Sequence, residues 1–564
     1  MTVTTCISDT RWSIALLLST TLILSACDTS MTTGDAPQIL SDPITLPTNT
    51  DSPVADLNGD TAVVVAAPTL TVAIDEYTLT FRWEPPVGSV TTRLLIHQPT
   101  TNSFDTLTTI EDNATRYTLK VAAHTLDWQT QYVLEHCDGN DCVRSLGTRL
   151  SNTESANTNP GSWLTSDNSK PYDALGSATA LALNGRVLVA GAPGRDVVDS
   201  ISNSFVSDAG AIHLYFSVDD QWTESAELTA DQPIEDAGLG QAIAISFDGD
   251  TVAASTQENV LIFERFGEGY VQTAQFDLPA SANNSADNRV SISREGNTVI
   301  ASTPTAVNRF GEAGGLVSVY RRVDDQWLAT DVLERSDAMA SVAFGQSMAL
   351  SASGDRVFIS ASSTAETNSA TGVNGHVYLF DTVNGQLTPA GILSDTNASL
   401  AVTRETIHFA QTIATNDTGT TLLVSRTQAP ASGSGSQLRS KSVSGIVVYE
   451  QTESSEWQVG HYLIPAGNHG AASLVQVSTN SDASVVSAAL TDPVMALTDI
   501  TTWIRTDAGY TFRSQLNNPD TEMNGFADNL VLSRNGERLA VGAPLRRDAS
   551  QSSLRLFAGA VIIY

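Results

Sequence analysis

The ten residues NGRVLVAGAP at Asn184–Pro193 return, little changed, as NGERLAVGAP at Asn535–Pro544. Between them the same grammar recurs: a strand-like run, a tight turn and a second run of alternating apolar residues. The copies are SFDGDTVAAS, SREGNTVIAS, SASGDRVFIS, NDTGTTLLVS and the weaker TNSDASVVSA. Asn-Gly and Asp-Gly supply the positive φ that a two-residue hairpin needs, so each phrase fixes a local strand pairing. The turn positions Gly185, Gly249, Gly296, Gly354, Gly419, Asp482 and Gly536 lie 47 to 65 residues apart. That interval holds one four-stranded sheet with loops of variable length, which predicts a β-propeller of seven blades rather than a strict solenoid.

Third and fourth strands repeat with the turns. Third strands open on glycine and end on an aromatic residue in Gly210–Phe216, Gly315–Tyr320, Gly375–Phe380, Gly445–Tyr449 and Gly559–Tyr564. In the fourth strands Trp222, Trp327 and Trp457 are each followed six positions later by Leu228, Leu333 and Leu463. Their equivalent places predict blade packing rather than sugar-stacking platforms. The seventh blade reaches Tyr564 with only three strands, while an unowned fourth-strand tail, LTSD at Leu164–Asp167, precedes blade one. Pairing the stretch from Ser155 to Leu164 with the last blade would close the ring and leave no open sheet edge. Pro160 in that stretch cannot donate to a ladder.

Phe344-Gly345-Gln346-Ser347 ahead of a first strand, and V-A-G-A-P after a turn, resemble the FG-GAP repeats of integrin α-subunit propellers and their bacterial relatives. The likeness spans about four hundred residues and implies a binding or adhesive propeller. Many integrin blades hold calcium on a D-x-[DN]-x-D-G loop. No such loop occurs here between first and second strands, so neither calcium nor any other cofactor is carried over.

Residues 67–150 contain about seven short alternating segments, among them LTFRWEPP, TTRLLIHQ and QYVLEHC, which predict a β-sandwich. Trp83 before Pro85 and Pro86, and Leu126-Asp127-Trp128-Gln129-Thr130-Gln131-Tyr132, resemble the buried tryptophan and tyrosine corner of fibronectin type III domains, with Trp128 in place of the family's proline. Within this part CDGNDC sets turn formers between two strand-like runs, so Cys137 and Cys142 are expected to form a disulfide across a hairpin end.

Arg11 precedes an apolar run, Ile14–Leu24, too short to span a bilayer as a permanent helix, and Leu24-Ser25-Ala26-Cys27 follows. This resembles the lipobox of bacterial lipoproteins. It implies a signal peptide at 1–26, which carries Cys6, and a lipid on Cys27. Residues 27–66, rich in Thr, Asp, Pro and Ser, read as a flexible tether, and Asp56–Asp60 within them as a solvated turn. The expected order is then signal peptide 1–26, tether 27–66, fibronectin-like sandwich 67–150 and propeller 151–564: an all-β chain in the bacterial envelope, periplasmic or at the cell surface.

With 29 Lys+Arg against 62 Asp+Glu the formal charge is −33, which repels phosphate backbones and excludes nucleic acid as a natural partner. Membrane contact is expected through the N-terminal lipid only. The eight histidines form no H-E-x-x-H or comparable pair, and no G-x-S-x-G elbow or P-loop occurs. The D-x-S-x-S string at Asp548–Ser552 lies outside the α/β context in which adhesion domains use it for metal. No catalytic or metal-binding residue is therefore assigned. The expected function is binding of a protein or glycan by the loops at one end of the ring: Arg195–Ala209, Ala361–Asn374 and Ala429–Ser444. These loops are Ser-, Thr-, Asn- and Asp-rich, with no hydrophobic anchor evident. An extracytoplasmic glycan-active enzyme with channel carboxylates, and a structural spacer, stay open as alternatives.

Overall fold

The first strand of each of seven sheets touches the first strand of the next, and the seventh touches the first, so the sheets stand in a closed ring. The structure, a computed structural model, describes residues 67–564 except 76–77, 87–89, 99–102, 111–113, 121–129, 140, 149–160, 283–286, 310, 312, 336–342, 363–372, 396–404, 431–442, 466–472, 493–496, 520–524 and 547–557. The sheets occupy 179–228, 243–277, 289–333, 343–393, 405–463, 473–517 and 530–563. Each is an antiparallel meander of four strands. The chain is a β-propeller.

Blade seven draws its outer strand from far upstream. Ala560–Ile563 pairs antiparallel with Ser162–Leu164, Ile562 lying opposite Trp163 and Val561 opposite Leu164. Blade five carries an extra short strand, Val373–Asn374, which runs parallel to its first strand.

Six of the seven turns share one geometry, blade one instead making a 3-10 turn at Leu183–Gly185 with positive φ at all three residues. Gly249, Gly296, Gly354, Gly419 and Gly536 all have positive φ, and each donates its N–H to the carbonyl three residues back. In blade six that place belongs to Ala483 (φ 58), one residue beyond the Asp482 expected from the sequence, and Asp482 Oδ1 instead accepts from Ser484 N. The residue opening each turn caps it: Ser246, Ser293, Ser351 and Ser533 accept on Oγ, and Asn416 and Asn480 on Oδ1, from the amide five positions on.

The turns are also tied to one another. Leu183 N donates to Phe247 O, Phe247 to Arg294, Arg294 to Ala352, Ala352 to Asp417, Asp417 to Ser481 and Ser481 to Arg534, at 2.7–2.9 Å. Six of the seven steps round the ring are thus bridged by backbone. At the seventh, between blades seven and one, side chains take over at the turn end, while Leu175 N donates to Ala558 O at 3.1 Å at the other. Arg538 pairs with Asp220 and donates to Ser217 Oγ at 3.2 Å, and Asn529 Oδ1 accepts from Thr179 N at 3.0 Å.

Second and third strands are buried on both faces, as an inner sheet position requires. Val189, Leu214, Val252 and Leu261 fill the space between blades one and two, and Ile300, Val319, Val357 and Phe380 that between three and four. Burial of each such side chain contributes roughly 1.5–3 kcal/mol. Fourth strands alternate along their length, Gln221–Leu228 being exposed at every second residue, because only one of their faces meets a neighbour.

Ahead of the ring, Leu70–Asp75, Thr78–Trp83 and Arg116–Lys120 form a three-stranded sheet. Ser103–Ile110, Thr91–Gln98, Tyr132–Asp138 and Asp141–Arg144 form one of four strands. Leu79, Phe81 and Trp83 of the first and Leu94, Tyr132 and Leu134 of the second share one core, with Tyr132 edge-on to Phe81 at 5.0 Å.

Candidate functional site

In an antiparallel meander the starts of the first strands, the loops joining second to third strands and the connections between blades share one end of the ring. The tight turns share the other. The turn end is closed by side chains that reach across the axis. Arg294 of blade three and Arg534 of blade seven both pair with Asp417 of blade five, the first at 3.7 Å. Their guanidinium groups lie over the Phe247 ring of blade two at 4.5 and 5.8 Å. Beside this knot is a cleft of about 800 Å³. There Lys120, from the sheets that precede the propeller, meets Asp220 at 3.1 Å.

The loop end is open. A cavity of about 530 Å³ descends into the lumen, lined by Arg289, Gln346, Gln411, Gln476 and Asp528 from five successive blades. These residues hold matching places, seven or eight positions ahead of the turns at Gly296, Gly354, Gly419, Ala483 and Gly536. The local cause is a recurring bulge. A buried Phe344, Phe409 or Phe526 anchors the strand, the next residue takes positive φ (Gly345 92°, Ala410 61°, Ala527 64°), and the residue after that faces the lumen. At Gly345 a Cβ would come within 2.6 Å of Ser302 Cβ, so glycine is needed there for space as well as for φ.

Arg289 and Asp528 bring opposite charges to this cavity without pairing. The Arg289 guanidinium donates to the Asn288 carbonyl at 3.1 Å and makes no ion pair with any described residue. Burial holds it below the usual arginine range, Asp287 opposing this. The Asp528 side chain is exposed within the lumen, yet desolvation by the surrounding protein pushes its carboxyl up to about 6. Its carboxylate accepts no hydrogen bond from the described residues, the Gln476 amide donating instead to the Asp528 backbone carbonyl at 3.5 Å.

Outside the lumen, blade one raises a hairpin of Val197–Val198 and Phe205–Val206. Its tip is built by Asp199, which accepts from Ile201 N, Ser202 N and the Ser202 hydroxyl. Ile201 is 81% and Phe205 60% exposed, Val198 and Ile234 are exposed as well, and Lys170 lies 5.2 Å over the Phe205 ring. The loop 232–238 is bound to the hairpin base through Asp236 N to Ser207 O and Gly238 N to Asp208 O. Burial and then the like charges of Asp196 and Asp236 raise the Asp208 carboxyl. The hairpin therefore presents apolar side chains inside an acidic border, an anchor that the polar composition of the loop hid from the sequence.

The residues singled out from sequence fall in several places. Cys137 and Cys142 lie directly opposite each other and are joined by a disulfide. Glu135 lies beside them but is engaged by Arg93 and Arg144. Cys27, Cys6, Asp56–Asp60, Trp128, Pro160, Asp548–Ser552 and most of the loops 361–374 and 429–444 lie outside the described residues. Trp327 is buried in a core between blades, and Trp222 and Trp457 pack against two others. His213 is buried against Glu224 at 2.6 Å, and His136 against Thr92 at 2.9 Å.

No protein-family model and no curated protein sequence matches the chain. Among solved structures it is similar to Kuenenia stuttgartiensis hydrazine synthase, at 9% identity and TM-score 0.42, over 67% of this chain and 94% of that one. It is also similar to the beta-propeller domain of Myceliophteria thermophila Cps50 (Swd1), at 11% identity and TM-score 0.42, over 72% and 99%. A third is the Pseudomonas aeruginosa periplasmic gluconolactonase PpgL, at 13% identity and TM-score 0.36, over 76% and 95%. At such identities no activity passes from them to this chain.

Proposed function

We propose that the chain is a lipid-anchored binding protein of the bacterial cell envelope whose propeller takes a protein or glycan partner at its loop end. In this reading Cys27 carries the lipid and 27–66 is the tether. Residues 67–150 are a fibronectin type III-like module, and 151–564 an FG-GAP-like propeller. The order of the three- and four-stranded sheets about the core of Trp83 and Tyr132 supports the module. The observation that carries the function is the blade-one hairpin. Exposed Ile201 and Phe205 with an acidic border suit a protein partner that supplies an apolar pocket and basic groups.

Pull-down with the full chain in detergent, from envelope extracts and on glycan arrays, tests this. Saturable capture of one partner, weakened about tenfold or more by Ile201→Asp or Phe205→Ala, is expected of a residue at the centre of an interface. Capture that is indifferent to both substitutions would remove the hairpin from the account, and no capture at all would favour a spacer. Glycoside hydrolysis by the usual route needs two carboxylates about 5–9.5 Å apart. Among the described residues, the lining of the lumen cavity has one carboxylate, Asp528.

A further inference from the structure

We propose that the open end of the lumen is a binding site for a small zwitterion, a free α-amino acid or short peptide, whose carboxylate meets Arg289 and whose ammonium meets Asp528. The glutamine amides of Gln346, Gln411 and Gln476 would take its polar groups between them. This site is separate from the blade-one hairpin and stands whether or not the hairpin binds anything.

The lining is unusual in what it leaves unused. A guanidinium and a carboxylate project into one cavity from blades three and seven, and neither has a charged partner within ion-pair distance among the described residues. The side chains of Gln346 and Gln411 make no hydrogen bond with described residues, and that of Gln476 makes only the long bond to Asp528 O. Several other arginines of the ring are paired with carboxylates. Arg195 is held by Asp173 and Glu227, and Arg426 by Asp395. The volume, about 530 Å³, lies within the range of small-molecule sites.

Charge decides the ligand class. A simple anion drawn to Arg289 must approach against the field of a chain with net charge −33, and a simple cation drawn to Asp528 must enter beside Arg289. A zwitterion carries no net charge, so the global field does not oppose it, while each of its ends gains a charge-assisted hydrogen bond inside the lumen. Primary amides donate and accept at once, and so match peptide groups and polar amino-acid side chains. Among the described residues the cavity lining holds no aromatic ring on which a sugar could stack, which favours an amino acid over a monosaccharide.

Calorimetric titration of the full chain in detergent with each of the twenty free L-amino acids, and with glycine dipeptides, tests the proposal at neutral pH. At least one should bind saturably. Its N-acetyl derivative and its carboxamide should each bind on the order of tenfold more weakly, as should the parent ligand to Arg289→Gln and to Asp528→Asn, the loss expected for one charged hydrogen bond. The derivatives probe the unaltered protein, so the test does not depend on how the variants fold. Absence of binding by every amino acid and dipeptide overturns the proposal. So does binding that survives N-acetylation and amidation, or binding untouched by both substitutions.

Discussion

Trp163 lies directly opposite Ile562, joining a strand near the start of the propeller to the last strand of the chain. Arg546 covers the Trp163 ring at 3.7 Å, and Tyr564 is fully buried with its N–H and C=O both bonded to Leu539. The contact closes the seventh sheet, and with it the ring. Leu164, buried beside Leu175 and Val561, is the apolar anchor of this closure. Leu164→Ala should lower stability by about 2–3 kcal/mol, as for other buried leucine truncations. Urea unfolding followed by tryptophan fluorescence measures it, and an unchanged midpoint would mean that the strand adds nothing to the fold.

Ala410 and Ala527 adopt positive φ where blades one, two and four use Gly176, Gly240 and Gly345. An alanine in the left-handed region costs about 1 kcal/mol. Ala410→Gly should therefore stabilise the protein by a few tenths to about 1 kcal/mol, despite glycine's greater freedom when unfolded. Gly345→Ala should destabilise it by about 1–3 kcal/mol, since strain adds to the close approach to Ser302. Thermal unfolding of the two variants in parallel gives opposite signs if the bulges are built as described.

Asp528 holds its proton more tightly when folded, its carboxyl standing at about 6 against an ordinary value of 3.8. A raised carboxyl contributes its stability fully below the unfolded value and loses it as pH rises through about 6. Ionised Asp528 therefore weighs against the fold at pH 7 and above. Asp528→Asn should raise Tm by about 1–2 °C at neutral pH, water in the lumen screening part of the penalty, and should change it little at acid pH where the native side chain is already protonated. Scans of both proteins across that range check the sign. Equal Tm differences at all pH values would show that the carboxyl is not perturbed.

Arg195 is 7% exposed and bridges Asp173 at 3.1 Å and Glu227 at 3.2 Å. Burial raises the Asp173 carboxyl, while the Lys170 amide and Arg195 draw it back down. Arg195→Met should destabilise by about 3–5 kcal/mol because it strands a buried carboxylate. Adding Asp173→Asn should recover part of that loss in a double-mutant cycle, and strict additivity of the two would contradict the coupling.

How far the sequence could be read follows from which residues a given geometry demands. A positive-φ hairpin demands Gly, Asn or Asp, so the turns at Gly249, Gly296 and Gly354 were visible as repeats, and the missing fourth strand of the last blade pointed to Leu164. In blade six Ala483 occupies the turn with no residue signature, and the expected position fell on Asp482. The lumen ring was harder still. Its places are filled by Arg289, three glutamines and Asp528, and blades three and six reach them without the positive-φ bulge that marks blades four, five and seven. Phe344-Gly345-Gln346, Phe409-Ala410-Gln411 and Phe526-Ala527-Asp528 carried the signal, but only alignment on the turns aligns their third residues. The exposed Ile201 and Phe205 stand singly among Ser, Asn and Asp, so composition concealed what the hairpin gathers.

Hydrogen exchange of the intact chain, read on peptides spanning Ser162–Leu164 and Ala560–Ile563, tests ring closure most directly. The two segments should be protected together, and Leu164→Pro, which removes the N–H facing Val561 across the ladder, should release both while leaving blade three protected. Free exchange of Ser162–Leu164 in the unaltered protein, with the last blade still protected, would contradict the account.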